Sequence, residues 1–294
     1  MRATEAVAEA RREIEICNAC RYCESYCAVF PAMTLQRSFS DSDMAYLANL
    51  CHDCKGCFQA CQHAPPHEFQ INLPKAFAEL RRETYAEYSW PRAMGGLFER
   101  AGAVLCVVVA LSIALVLGLA MALRAPGVLY SSHTGPGAFY AVIPWGVMTS
   151  VAGATFGFSL LALALGVRNF WRDTRSPLSG PITMKAILRA LGDIATLRYL
   201  GNDGKGCNDF DDNFSSARRH FHHALAYGFL LCFASTSVAT IYDHFLGRIA
   251  PYDFFSLPVL LGTVGGVGMG AGATGLAWIK IVTDPMPEIG RAHV

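Results

Sequence analysis

Eight of the eleven cysteines fall into two copies of one pattern, C-x2-C-x2-C-x3-C. The first copy is Cys17, Cys20, Cys23 and Cys27, and the second is Cys51, Cys54, Cys57 and Cys61. Thiolates are soft ligands, and an iron-sulfur cubane needs four of them at its iron corners. The first three cysteines of a run wrap a turn of backbone around three corners. The fourth is carried away on the following segment. The chemistry implied is one-electron transfer. Zinc also binds C-x2-C pairs, but it takes four ligands per site, usually as two separated pairs. Two tandem sets of four at identical spacing speak against zinc. Disulfides fit less well still. Residues 1–16 (MRATEAVAEARREIEI) are too charged for a cleavable signal peptide, which places the cysteines in a reducing cytosol. Clusters with all four corners closed by thiolates offer no open iron for substrate chemistry.

The spacing is that of two-cluster [4Fe–4S] ferredoxins, in which the fourth cysteine of each run serves the other cluster. On that pattern one cluster takes Cys17, Cys20, Cys23 and Cys61, and the other takes Cys51, Cys54, Cys57 and Cys27. The crossed ligation locks the two halves into one redox unit. The elements that must position these cysteines read as helices. Residues 3–16 are rich in alanine and glutamate. Ser40, Asp41, Ser42 and Asp43 form an N-cap cluster ahead of Met44–Leu50, a helix that delivers Cys51 at its end. Strand signals are sparse, so the expectation is an all-α fold with an α-helical ferredoxin module rather than a βαβ one. The stretch APPHEF at 64–69 reads as a rigid loop able to shield a cluster. Residues 74–90 read as an amphipathic helix leading to a membrane surface, with Trp90 at the interface.

The rest of the chain looks like a membrane protein. It has 294 residues, 53% hydrophobic and 16% charged, against about 25% charged in a soluble domain. The mean hydropathy is +0.30. Four stretches, at 103–123, 139–167, 220–242 and 254–279, are apolar enough to cross a hydrocarbon core, which takes about 20 helical residues. The expected division is a dicluster module at 1–72, a connector at 73–101, and a four-span domain at 102–294 with a linker at 168–219. The linker and the segment before the first span carry most of the arginines and lysines, whereas the other two loops hold only Arg124 and Arg248. The positive-inside rule therefore puts the module, the linker and both termini on the cytoplasmic side of an inner membrane. A net charge of +1 gives no argument for nucleic acid.

Certain strings resemble a known family. Cys20-Arg21-Tyr22-Cys23, then His63-Ala64-Pro65-Pro66-His67-Glu68-Phe69, then His222-His223 with Tyr227–Thr236 (YGFLLCFAST) are similar to the tricarballylate (citrate) utilization protein B family. The resemblance covers nearly the whole chain. It implies an electron-transfer partner of a soluble FAD-dependent tricarballylate dehydrogenase that passes electrons from the reduced flavin to the membrane quinone pool. Ala28 and Gln62 follow the fourth cysteines where proline is common in such motifs, which bears on loop rigidity but not on ligation.

A quinone acceptor needs hydrogen-bond and proton donors near the cytoplasmic surface. The residues offered are Arg218, Arg219, His222 and His223 with His220 at the start of the third span, and Trp171 with Arg168 and Arg172 at the end of the second. The plainer reading of these residues is interfacial arginines and histidines obeying the positive-inside rule. A haem b usually takes two histidines from two helices at one depth. His133 and His244 are the far-side pair, although His133 falls in a loop. His223 and His244 lie 21 residues apart, about 32 Å along a helix, too far to share one haem. In the fourth span Gly262, Gly266 and Gly270 sit four apart, with Gly268 and Gly272 on a neighbouring line, and suit close helix packing. Cys106 and Cys232 read as apolar span residues. Cys207, beside the glycine-rich 201–206, reads as part of a flexible surface turn. With no nucleotide-binding fingerprint, the chain is an electron-transfer component rather than a complete dehydrogenase. A redox subunit of a different dehydrogenase and a redox-sensing membrane protein are the other classes.

Overall fold

The computed structural model describes residues 4–175, 180–200, 206–210 and 213–283, with only the backbone described at 97–101. Among these residues there is no β-strand, only an isolated bridge between Cys207 and Ser215. The chain is all-α. It groups into two compact units that interleave in sequence. One holds residues 1–99 with 165–223 and 273–294, and the other holds 100–164 with 224–272. The linker therefore folds with the N-terminal module.

In the first unit, α1 (Glu5–Cys20), α2 (Val29–Thr34), α3 (Asp41–Leu50), α4 (Gly56–Gln59) and α5 (Leu73–Tyr88) share one apolar core. Helix α1 starts at Thr4, whose hydroxyl accepts the Val7 N–H, and turns Val7, Ala10 and Ile14 inward. These positions share one face at helical spacing. Helix α3 starts in a reciprocal capping box between Ser40 and Asp43. Its last turn leads into Cys51, which caps the C-terminus in extended conformation. Helix α5 starts at Asn72, whose side chain accepts the Lys75 N–H, with Pro74 in its first turn. Its apolar face (Leu73, Ala76, Phe77, Leu80) packs on α1 and α3. That face is thus part of the module's own core rather than a surface left for a membrane. Burying a side chain such as Phe77 or Leu80 is worth ~1.5–3 kcal/mol.

Four helices are long and apolar enough to cross a membrane: Gly102–Leu123 within α6 (Ala101–Leu123), α9 (Trp145–Thr174), α11 (Ala217–Phe245) and α12 (Leu257–Val282). The second begins later than the apolar run that starts at Phe139. Pro144 forces the residue before it out of the helical region, and Ile143 is extended at φ −115°, ψ 114°. Ala138–Val142 is therefore a separate short helix, α8, preceded by α7 (Pro126–Leu129). In the second unit, α11 and α12 touch backbone to backbone. A methyl group at Gly228 would lie 2.6 Å from the Met269 nitrogen, and one at Gly265 would lie 2.8 Å from the Cys232 nitrogen. The buried residues of α12 are Pro258, Gly265, Gly272, Gly275 and Ile279. Of the glycines expected to pack, Gly266 and Gly270 face open space, whereas Gly262 lies against Ser235 and Gly268 against Ala224. Helix α10 (Met184–Ala195), starting at Thr183, carries an apolar stripe of Met184, Ile187, Leu188, Leu191 and Ile194, all exposed.

Candidate metal centre

The eight cysteines lie in the first unit, on three helix ends and two tight loops. Cys17 and Cys20 close α1, which stops at Arg21 with φ 54° as its N–H bonds to the Cys17 carbonyl. Asp53 (φ 52°) and Lys55 (φ 60°) take the same left-handed conformation between Cys51 and Cys57. Non-glycine residues in that region cost about 1–3 kcal/mol each and gather at binding sites. Here they fold the backbone back on itself so that thiols three residues apart face one space.

The two motifs exchange their last cysteines. Cys61 lies in the field of Cys17, Cys20 and Cys23, and Cys27 lies in the field of Cys51, Cys54 and Cys57. A cavity at the first group is lined by Cys17, Cys20, Cys23, Cys61, Gln62 and His63, and Cys57 of the second group also reaches its wall. Burial and then neighbouring sulfurs push the thiols up. Cys17 and Cys27 rise to about 12, and Cys23 to about 11. At Cys51, also about 11, burial is partly offset by the Arg81 guanidinium. Thiols packed this way resist becoming thiolates by themselves. A cationic metal body at their centre reverses that preference and displaces the protons. Backbone N–H groups already point at the sulfurs. Asp53 donates to Cys51 Sγ and His63 to Cys61 Sγ, each at 3.4 Å, and the Gln62 amide reaches Cys20 Sγ at 3.6 Å. Among the described residues, no three His, Cys, Asp or Glu side chains converge as the ligands of a single ion would. The donor set, its grouping in fours and the N–H groups on sulfur fit a multi-iron body.

The surroundings of the two groups differ. Beside the first stands an acid, Glu13, on the buried face of α1, whose carboxylate accepts the Asn72 N–H at 3.0 Å. Burial pushes its carboxyl up to about 7. Beside the second stand cations. Arg81 donates to the Cys51 carbonyl. Lys55, between Cys54 and Cys57, is 1% exposed and donates to Thr283 Oγ1 at 3.2 Å. Arg218 donates to the Asp53 carbonyl at 2.7 Å and pairs with buried Asp209. Thr283 Oγ1 donates to the Asp209 carbonyl at 2.5 Å, and the Asn208 N–H bonds to the Cys54 carbonyl at 2.9 Å. Burial pushes the Asp209 carboxyl up, against the pull of Arg218 and Lys55.

Cys207 belongs to this wall. It is 1% exposed, paired through its backbone with Ser215, and its thiol is pushed up to about 12 by burial. Gly206, at φ 113°, makes the turn possible, since a methyl group there would lie 2.7 Å from the Ser215 carbonyl oxygen. The flexible surface turn read from the sequence is thus a packed one at Cys207, while 201–205 lie outside the described residues.

Of the residues read as quinone contacts, Arg218 is committed to Asp53 and Asp209, and Arg219 donates twice to the Thr196 carbonyl, at 2.7 and 3.2 Å. His222 lies close to His52, the residue after Cys51; His222 is near Arg218 and Asp209, and His52 is near Arg81. His223 follows on α11, and Trp171 stands 52% exposed on α9. The two residues read as far-side haem ligands have separate partners. His133 Nε2 bonds the Val128 carbonyl at 2.7 Å, and His244 pairs with Asp243 at 3.2 Å and packs on Trp145. Sequence reasoning missed Glu13, Lys55, Arg81, Asp209 and Thr283. Of these, only Lys55 carried a local signal, its place inside the second cysteine run.

Fold and site together define a helical membrane protein with a ferredoxin-like N-terminal module. Two family models match the chain. Residues 10–87 match the citrate utilization protein B Fer4-like domain, and residues 99–293 match citrate utilization protein B. The chain belongs to the citrate utilization protein B family. It is 48% identical to Citrate utilization protein B of Escherichia coli over 279 residues, which cover 95% of this chain and 72% of that relative. No solved structure matches the chain.

Proposed function

We propose that this protein takes electrons from a reduced flavin dehydrogenase through two [4Fe–4S] clusters to the membrane quinone pool. One observation carries the reading. Arg218, in the first turn of a helix able to cross a membrane, is hydrogen-bonded to Asp53, between two cysteines of the second ligand group. A metal-binding loop fastened to a membrane helix suits delivery into a membrane pool. The clusters would supply one-electron steps between a two-electron flavin and a two-electron, two-proton quinone. The chain's own part is to hold them. Cys17, Cys20, Cys23 and Cys61 serve one, and Cys51, Cys54, Cys57 and Cys27 the other. His222 and His223, with Arg219 on the same helix and Trp171 at the same expected depth, are the positions for a quinone carbonyl, and a histidine there can supply a proton near neutral pH. The family resemblance suggests a donor enzyme of the FAD-dependent tricarballylate dehydrogenase type, and the relative's name, which speaks of citrate, fits a tricarboxylate substrate. The basic linker and pre-span segment support, by the positive-inside rule, a module on the cytoplasmic side of the inner membrane.

The test is stepwise anaerobic reduction of the purified full chain, followed by electron paramagnetic resonance and optical spectra, then addition of a soluble quinone. Two reducible cluster signals and quinone reduction that disappears in Cys54→Ser are expected. Undiminished quinone reduction in a well-folded Cys54→Ser protein would sink the path. A Soret band would insert a haem into it and direct mutation to His133 and His244.

A further inference from the structure

We infer that Lys55, Arg81 and Arg218 are positioning residues that hold the second cluster at a higher reduction potential than the first, so that the potentials rise toward α11. The inference rests on the proposed reading that both cysteine groups carry [4Fe–4S] clusters, and it adds the order of the two.

A cluster held by four thiolates is anionic and gains a further negative charge on reduction. Fixed positive charge beside it, in surroundings of low dielectric, therefore favours the reduced form. The second group has such charge built in. The Lys55 ammonium is buried within the Cys54–Cys57 interval and held by Thr283 at 3.2 Å. The Arg218 guanidinium is held by the Asp53 carbonyl at 2.7 Å and by Asp209, with side chains 16% and 0% exposed. Arg81 sits on the Cys51 carbonyl. Among the described residues, the groups facing these are the carboxylates of Asp209 and Asp53 and the imidazoles of His52 and His222. The first group has a different setting. The titratable neighbour of Cys17 and Cys61 is the acid Glu13, which brings no positive charge. The cation nearest that acid, Arg12 at 3.8 Å, is 41% exposed and hydrogen-bonded to Glu9. Because the cations are tied by Thr283, Asp209 and two backbone carbonyls, their charge is in place before any electron arrives.

The experiment is an anaerobic potentiometric titration of the full detergent-solubilised chain, read by electron paramagnetic resonance, with signals assigned through Cys20→Ser and Cys54→Ser. In the unmodified protein the second cluster is expected to be the easier to reduce. Arg218→Gln and Lys55→Gln should each weaken its reduction equilibrium about tenfold, a fall of about 59 mV for one electron. The first cluster should not move, and Arg218→Lys should restore most of the loss. A structural role alone would not give that rescue. If Arg218→Gln fails to retain the second cluster, Lys55→Gln decides. An unmoved second midpoint in Lys55→Gln, or a first cluster that is the easier to reduce in the unmodified protein, overturns the ordering alone. Absence of any reducible cluster overturns the proposed function with it, so the two failures are told apart.

Discussion

The two cysteine groups share one motif and differ in what surrounds them. The first is completed by residues close in the chain, with Glu13, Gln62, His63 and Asn72 around Cys17, Cys20, Cys23 and Cys61. The second draws on Arg81, on Asn208 and Asp209 in the linker, on Arg218 in α11 and on Thr283 after α12. The motif thus sets which sulfurs meet, while distant segments set the charge they meet in. A local site is specified by the spacing of its ligands. A remote one is specified by the whole fold.

The sharpest way to break this comparison is through the exchanged ligands. Cys61→Ser is expected to remove the first cluster although it alters the second motif, and Cys27→Ser is expected to remove the second. Iron and sulfide analysis with low-temperature resonance spectra checks this, and loss of the cluster of the same motif in either variant would show uncrossed ligation. Next in size is Asp209→Ala. It leaves the Arg218 guanidinium buried without its ion partner, which costs ~3–5 kcal/mol in comparable pairs. On heating, the second cluster should bleach first while the first persists to its usual temperature. Simultaneous loss of both at the usual temperature would mean that the Arg218 group does not support the second loop separately.

The smallest effect is a pH dependence confined to the first group. In the folded protein Glu13 keeps its proton up to about 7, because burial outweighs the Asn72 N–H, whereas the unfolded chain releases it near 4.5. The folded state therefore binds more protons in that window, and stability falls as pH rises through it, by roughly 3 kcal/mol. Glu13→Gln should flatten this slope in chemical denaturation of the metal-free protein. An unchanged slope would show that Glu13 is already ionised below the window.

Local features were legible in the sequence. The eight cysteines, the Ser40 N-cap and the four apolar helices all follow from spacing or composition within one segment. Partners were not. The apolar period of α5 announces a buried face but does not say that α1 and α3 cover it. Both three-apart and four-apart lines exist on any helix, so the glycines of α12 could not reveal that Gly265 rather than Gly266 meets α11. Helix α10 carried a readable stripe, yet it sat in a linker read as loop. Nothing in the sequence near Asp209 announces Arg218 and Lys55 beside it.

The tie between Lys55 and Thr283 also has a consequence in time. The two residues are 228 positions apart. At ~5–20 residues per second, a ribosome needs about 10–50 s to travel that distance. The first ligand group has all its cysteines and its glutamate outside the ribosome long before then, whereas the second waits with its thiols unwalled until the last membrane helix has been made. Iron delivered during synthesis therefore meets one finished pocket and one open one.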